Sequence, residues 1–304
     1  MRVSTQMLFE NGAARLGDLQ SGLMRTQQQI ATGRRMLAPS DDPVGAAQAL
    51  EISQSQAINA QHGVNRLQAK SALGLVEDTL GSVTSLLQDV KTTIVAAGNG
   101  ALTNTERGFM ASELRGRFEQ LLGLANTRDG MGNYMFSGYQ TATPAFVEVP
   151  GGAQYQGDPG QRLIQVDANR QMAINVPGQT VFQGGGQDIF ATLDTLITLL
   201  QTPVVDAASQ AALDAGLGTA NASLDTALDN VLTVRASIGA RLHELDAFDN
   251  LGGDRNIRYS ETLSALQDLD YTEALTRLSQ QQITLEAAQR SFVSVSGLSL
   301  FNYL

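Results

Sequence analysis

The sequence of 304 residues contains no cysteine and no tryptophan, and it has only two histidines. Without cysteine, disulfide bonds, thiol nucleophiles and thiolate metal sites are excluded. The formal net charge of −10 argues against nucleic-acid binding, because an acidic surface does not release counterions from phosphates. No stretch reaches the roughly 18–20 consecutive apolar residues of a membrane-spanning helix, so we expect no membrane insertion.

Sequence motifs for catalysis or cofactor binding are also missing. Gly184–Gly186 lacks the spacing of a dinucleotide-binding loop, and no Walker lysine, zinc-protease or serine-hydrolase motif occurs. Asp41 and Asp42 could in principle bind a metal, but two carboxylates before Pro43 are typical of a helix N-cap. We therefore predict a protein that is not an enzyme, with no catalytic, cofactor-binding or metal-binding residues.

The seven prolines lie in two groups, which leave long proline-free stretches on both sides of the middle. Pro39 and Pro43 lie near the start, and the remaining five lie between Pro144 and Pro203. Because proline costs about 3 kcal/mol inside a helix, long helices are possible on both sides of the middle region.

In the first half, residues 5–32 are predicted to form a helix that ends at a left-handed Gly33. A second helix should run from Pro43 to about residue 97, with Asp42 as its N-cap. The capping-box sequence of residues 103–106 should begin a third helix.

In the second half, a long helix is expected after Pro203. Leu251-Gly252-Gly253 is predicted to break it, so that the last helix starts near Arg255 and continues almost to Gly297. The apolar seams of residues 76–97 and 213–245 have helical spacing, and we expect them to form a core within one subunit.

The middle of the sequence changes from helical to alternating periodicity. Residues 172–176 alternate apolar and polar side chains, and residues 163–166 and 146–149 are further strand candidates. We expect residues 134–186 to form a small β subdomain. The predicted fold is therefore mainly α, with a long antiparallel helical bundle or coiled coil of the N- and C-terminal arms and a β insertion in the middle.

Three structural regions follow from these elements. Residues 1–42 and 255–304 should form a terminal coiled-coil domain that becomes ordered on assembly. Residues 43–133 and 187–254 should form a helical rod, and residues 134–186 the β subdomain.

Both terminal arms carry an apolar seam at alternating 3- and 4-residue steps. Burying a Leu-sized side chain contributes roughly 1.5–3 kcal/mol, whereas ordering one residue of backbone costs about 1–2 kcal/mol. An isolated arm of about 30 residues should thus be poorly ordered, and the seams should pair with each other or with neighbouring subunits. The predicted assembly interface comprises Leu8, Leu16, Leu19, Leu23, Ile30, Tyr271, Leu275, Leu278, Leu285, Phe292 and Val295.

Several of these segments resemble the flagellin superfamily. Arg2–Thr5 and Ile30–Arg35 are similar to its N-terminal helix and the end of that helix, and Ser40–Ala47 to the segment that follows. Arg235–Leu242 and Leu269–Ala274 are similar to motifs near its C-terminus.

Two further features resemble the hook–filament junction members more than filament-forming flagellins. One is the pair of segments Gly132–Tyr139 and Tyr155–Asp158, and the other is the ending Leu298–Leu304. Flagellin itself is the main alternative, and a cytosolic coiled-coil adaptor is an alternative from another class.

The resemblance implies a structural protein of the bacterial flagellum. Its members are expected to leave the cell unfolded through the flagellar type III apparatus, without signal cleavage, after a cytosolic chaperone has held the C-terminal helix. Outside the cell, copies of a junction protein would form a ring between the proximal hook-associated junction protein and the first flagellin. The β subdomain would face outward.

Overall fold

The computed structural model describes residues 2–297, except for the side chains of residues 2–6, 8 and 295–297. The ending Leu298–Leu304, on which part of the resemblance rests, lies outside the described residues. The described residues form two units. The first unit contains the residues up to Asn59 and those from Gly253 onward, and the second contains Ala60–Gly252.

Long helices account for most of the described chain, as the proline distribution predicts, and the strands are confined to its middle. The helices are α1 (Arg2–Thr32), α2 (Pro43–Ala97), α3 (Asn104–Ala125), α4 (Gly178–Phe182), α5 (Ile189–Gln201), α6 (Ala207–Gln267) and α7 (Tyr271–Gly297). The strands are β1 (Phe146–Val149), β2 (Gly152–Tyr155), β3 (Leu163–Asp167) and β4 (Arg170–Ala173). The predicted fold class, mainly α with a small β region, is confirmed.

The ends of the first three helices carry the predicted capping residues. Gly33 has φ +68°, so it takes the left-handed conformation that ends α1. The carboxylate of Asp42 accepts a hydrogen bond from the Gly45 amide (2.9 Å) at the start of α2. Thr103 and Glu106 form the reciprocal capping box of α3.

The predicted break at Leu251–Gly253 and the helix start near Arg255 are wrong. Helix α6 continues through both glycines to Gln267, and α7 begins only at Tyr271. A glycine inside a helix costs only about 1 kcal/mol, and the rest of a 61-residue helix outweighs that cost. The observed break has its own capping group, because the carboxylate of Asp270 accepts the amides of Thr272 (2.9 Å) and Glu273 (3.2 Å).

In the second unit, the two predicted helical seams form one core. Every residue of the seam Val76, Leu80, Val83, Leu87, Val90, Ile94 and Ala97 is buried, and so are most of those between Leu213 and Leu245. Ion pairs join α2 and α6 in antiparallel register, among them Glu77 with Arg235 (2.7 Å) and Lys70 with Asp246 (2.6 Å). The prediction of a core within one subunit is confirmed for these seams.

The β region of the second unit consists of two antiparallel hairpins, β1 with β2 and β3 with β4. The prediction missed β2, whose Gly152-Ala153 start gives no alternating pattern. The predicted strand at 172–176 is displaced, since β4 runs from Arg170 to Ala173, although Ile174 and Val176 are buried beyond it. Buried aromatic rings join the β1–β2 hairpin to α5, where Phe146 contacts Phe190 with 5.0 Å between tilted rings, and Phe190 in turn contacts Phe118 of α3.

Candidate assembly interface

Helices α1 and α7 pack against each other in antiparallel orientation within the first unit. Three glycines spaced about three helical turns apart show the register. A Cβ built on Gly12 would lie 2.8 Å from the Phe292 ring, and one on Gly22 would lie 3.6 Å from the Gln281 side chain. A Cβ on Gly33 would lie 3.0 Å from the Tyr271 hydroxyl. The two terminal arms therefore meet each other, as their seams predict.

Most of the predicted interface residues are only partly buried in this helix pair. The partly buried group comprises Leu16, Leu19, Leu23, Ile30, Leu278, Leu285 and Phe292. Tyr271 and Leu275 are 51% and 53% exposed. The side chains of Leu8 and Val295 lie outside the described residues. The pairing of α1 with α7 thus leaves much of the seam accessible.

Further apolar side chains lie on the outer faces of the same helices. Met7 and Met24 on α1 are each more than half exposed, and Ile283 and Val293 on α7 are about two-thirds exposed. An exposed apolar residue is ordinary by itself, but a group along one helix pair is typical of a protein–protein contact.

The centre of the α1–α7 contact is polar or small, which the search for apolar periodicity missed. Thr26 is 3% exposed, Gln29 9% and Ala274 1%. Hydrogen bonds satisfy the buried polar groups, because the Thr26 hydroxyl donates to the Gly22 carbonyl (3.1 Å) and the Gln29 amide to the Arg35 carbonyl (2.6 Å). These residues lie between the Gly22–Gln281 and Gly33–Tyr271 contacts, and no apolar periodicity marks them.

The two segments that connect these helices to α2 and α6 are hydrogen-bonded to each other. Arg34 and Asp268 form an isolated antiparallel bridge. On either side of it, the Leu269 amide donates to the Gly33 carbonyl (3.0 Å), and the Arg35 amide donates to the Gln267 carbonyl (2.8 Å).

Carboxylates hold the loop between α1 and α2 in shape. One oxygen of Asp41 accepts the amides of Leu37 (3.0 Å) and Ala38 (3.2 Å), and these bonds, with a lesser effect of Arg25, lower the pKa of Asp41. The bond from the Gly45 amide is the main cause that lowers the pKa of Asp42, and Arg35 adds to it. Asp42 is the helix cap that the sequence predicted, in preference to a metal ligand.

Within residues 2–297, no group of three or more His, Asp or Glu side chains is arranged to hold a metal ion. None of the helices in the same described part is long and apolar enough to cross a membrane.

Comparison with known proteins connects these helices to the flagellum. The family described as the bacterial flagellin N-terminal helical region matches residues 3–141. Over 315 aligned residues the chain is 38% identical to flagellar hook-associated protein 3 of Escherichia coli (strain K12), with 99% of both chains covered. It is 21% identical over 308 residues to the flagellin of Listeria monocytogenes, with 99% of this chain and 96% of the flagellin covered.

A solved structure has the same fold. The crystal structure of flagellar hook-associated protein 3 from Legionella pneumophila matches with a TM-score of 0.67 and 22% identity, covering 71% of this chain and 98% of that one. The identity to hook-associated protein 3 over the full length exceeds that to flagellin, which favours the first relationship over the second. The chain belongs to the flagellar hook-associated protein 3 family, within the flagellin superfamily.

Proposed function

We propose that this protein is a structural junction protein of the bacterial flagellum. It polymerises between the hook-side junction protein and the flagellin filament. The observation that carries the proposal is the 38% identity to flagellar hook-associated protein 3 over 99% of both chains. The incomplete burial of α1 and α7 supports it independently, because a subunit that works alone has no need of exposed apolar residues along its terminal helices.

The proposed assembly surface is the outer side of the α1–α7 pair. Tyr271, Leu275 and Ile283 are each at least half exposed on α7, and Met24 is 57% exposed on α1. Contact with neighbouring copies would remove these side chains from water. Residues 1–42 and 255–304 would then become stably ordered on assembly, whereas the buried core of the second unit needs no partner.

Other parts of the proposal concern export and the outer surface. The chain would pass through the flagellar type III apparatus without signal cleavage, with a cytosolic export chaperone on the C-terminal helix beforehand. In the flagellum, its copies would form a ring, with the helical rod of residues 43–133 and 187–254 in the wall. The β subdomain, residues 134–186, would face outward.

A deletion strain tests the proposed function. Cells that lack this protein should keep intact hooks but shed flagellin into the medium, and they should be non-motile. Re-expression of the full chain should return flagellin to filaments. If the deletion strain builds filaments of normal length, or if this protein forms the filament shaft in immunogold micrographs, the junction function is wrong.

A charge substitution tests the proposed surface. Leu275→Glu places a carboxylate at a half-exposed apolar position while retaining a good helix former. The variant should be exported but should shed flagellin. Thr276→Glu adds the same charge at the neighbouring exposed position and is the matched control, so it should support filaments. Equal behaviour of the two variants would place the subunit contact elsewhere.

A further inference from the structure

The C-terminal end of α6 is capped by a residue that lies more than 230 positions earlier in the sequence. The last four carbonyls of a helix have no partner inside it. Within α6, the Leu266 carbonyl accepts a hydrogen bond from the guanidinium Nη2 of Arg35 (2.8 Å), and the Gln267 carbonyl accepts the Arg35 amide (2.8 Å). Arg35 therefore satisfies two of the four carbonyls, and its positive charge lies at the negative end of the helix dipole.

The same residue contacts both helices that flank its own loop. Its guanidinium lies 3.3 Å from the Asp42 carboxylate, which is the N-cap of α2. Its carbonyl accepts the side-chain amide of Gln29 (2.6 Å), a residue of α1 that is 9% exposed. Arg35 thus joins the end of α1, the start of α2 and the end of α6.

The neighbouring hydrogen bond extends this contact to α7. The Leu269 amide donates to the Gly33 carbonyl (3.0 Å), two residues before α7 begins. Both chain segments that leave the α1–α7 pair are thereby bonded to each other, and the Arg35 side chain crosses between them to the α6 backbone.

We propose that Arg35 is a positioning residue that couples the two terminal helices. The guanidinium and the amide of Arg35 cap α6. The segment between α6 and α7 therefore keeps its conformation only while the loop after α1 is folded against it. Separation of α7 from α1 opens the same contacts. The two arms consequently order together, and this coupling is a property of the single chain that goes beyond the proposed junction function.

The chemistry of the site accounts for arginine at this position. Both bonds come from Nη2, which carries two N–H groups and lies at the end of a side chain one bond longer than that of lysine, so it reaches the Leu266 carbonyl and the Asp42 carboxylate together. The ammonium of a lysine keeps the charge but reaches both acceptors less well. A lysine should therefore rescue part of the coupling, and an alanine none of it.

A cross-linking rate on the purified full chain tests this coupling. Because the sequence contains no cysteine, Gly22→Cys with Gln281→Cys introduces the only two thiols, one on each helix of the pair. The rate of intramolecular cross-linking by a short bis-maleimide reports how often α1 and α7 are paired, even if the pair is a minor population. Reaction of each single-cysteine variant with N-ethylmaleimide corrects for accessibility.

Arg35→Ala should lower the corrected rate about tenfold, the lower end of the loss expected for a hydrogen bond from a charged donor. Arg35→Lys should give an intermediate rate. Arg290→Ala is the matched control, since it removes the same charge from α7, where Arg290 contacts only Glu286 on its own helix, and its rate should equal that of the parent. Circular dichroism of each variant checks that the chain is folded.

The coupling is refuted if Arg35→Ala cross-links at the parent rate, or if Arg290→Ala loses as much as Arg35→Ala. It is also refuted if the parent pair does not cross-link, because α1 and α7 are then not paired. None of these results changes the outcome of the deletion-strain test, so failure of the coupling and failure of the junction function are distinguishable.

Discussion

Gly12 of α1 lies directly beneath the ring of Phe292 of α7. A Cβ at Gly12 would come within 2.8 Å of Cδ2 and 2.9 Å of Cε2 of that ring, closer than side-chain carbons approach in folded proteins. The ring of Phe9 also contacts Phe292, tilted by 43° with 5.0 Å between centroids. The absence of a side chain at Gly12 therefore allows the two helices to approach closely near their free ends.

Gly12→Ala should fail to strengthen the pairing of α1 with α7. Alanine favours a helix over glycine by about 1 kcal/mol, but here its methyl group must displace Phe292, which cancels that gain or reverses it. Gly17 is the matched control on the same helix, because a Cβ there meets nothing within 4 Å. The cross-linking rate of the α1–α7 cysteine pair should rise in Gly17→Ala and should not rise in Gly12→Ala.

Repeating the comparison in a Phe292→Ala variant tests whether the contact between Gly12 and Phe292 is responsible. In Phe292→Ala the ring is gone, so Gly12→Ala should now raise the rate as much as Gly17→Ala does. If Gly12→Ala behaves like Gly17→Ala in both backgrounds, the close approach of Gly12 to Phe292 does not influence the pairing.

The sequence predicted that the terminal arms pair but not what forms the centre of the pair. Leucine periodicity identified Leu16, Leu19 and Leu23, which the structure leaves partly exposed. Among the described side chains of α1 the most buried are instead Thr26 and Gln29, and apolar periodicity does not predict the burial of polar residues. Their burial depends on hydrogen-bond partners such as Gly22 and Arg35, which become visible only once the chain is folded.

The predicted helix boundary failed where the low helix propensity of two residues was outweighed by the rest of the helix. Gly252 and Gly253 suggested a break, yet α6 continues, because two weak helix formers cost little against 61 residues. The short β2 strand was missed for a related reason. Its composition does not favour a strand, and its pairing with β1 stabilises the extended conformation.

Gly253→Ala should therefore stabilise α6. Gly253 is exposed, and a Cβ there would meet nothing within 4 Å, so alanine gains about 0.5–1 kcal/mol of helix propensity without a clash. Amide hydrogen exchange of residues 250–257 should slow by the corresponding factor of about 2–5. Faster exchange in this variant would mean that the chain needs a flexible glycine here, as the predicted break implied.

Asp249 forms ion pairs with both Arg66 and Lys70 in the second unit. Its oxygens lie 2.5 Å from Arg66 Nε and 2.5 Å from Lys70 Nζ, and Arg66 is only 4% exposed. Burial raises the pKa of Asp249, but the hydrogen bonds from Lys70 and Arg66 outweigh this and lower it overall. Asp249→Asn should cost about 1–2 kcal/mol in free energy of unfolding, less than for a fully buried pair because Asp249 is partly exposed.

The pH dependence of that loss follows from the sign of the shift. A lowered pKa in the folded state means that the stabilisation is present above the unfolded value of about 3.9 and disappears as the pH falls through the folded value. Urea unfolding of the parent and of Asp249→Asn should thus differ at pH 7 and converge as the pH falls through the lowered folded value. Asp246→Asn is the control, since Asp246 is 63% exposed and contacts only Lys70, so it should lose less than half as much.

The Tyr155 hydroxyl joins the end of β2 to two loops, because its single hydrogen is shared between the carbonyls of Phe136 (3.0 Å) and Asp158 (2.8 Å). Burial, with a smaller effect of the Asp158 charge, raises the pKa of Tyr155 to about 12. In an ultraviolet titration of the six tyrosines, one phenol should ionise near this pH while the chain is folded, and Tyr155→Phe should remove that step. Loss of the hydroxyl should also reduce the free energy of unfolding by about 1 kcal/mol.

Tyr139→Phe is the matched control, since Tyr139 is 63% exposed and its variant retains the Tyr155 phenol and its late ionisation step. If the late ionisation step survives in Tyr155→Phe and is lost in Tyr139→Phe, the phenol with the raised pKa is that of Tyr139, and its assignment to Tyr155 is wrong.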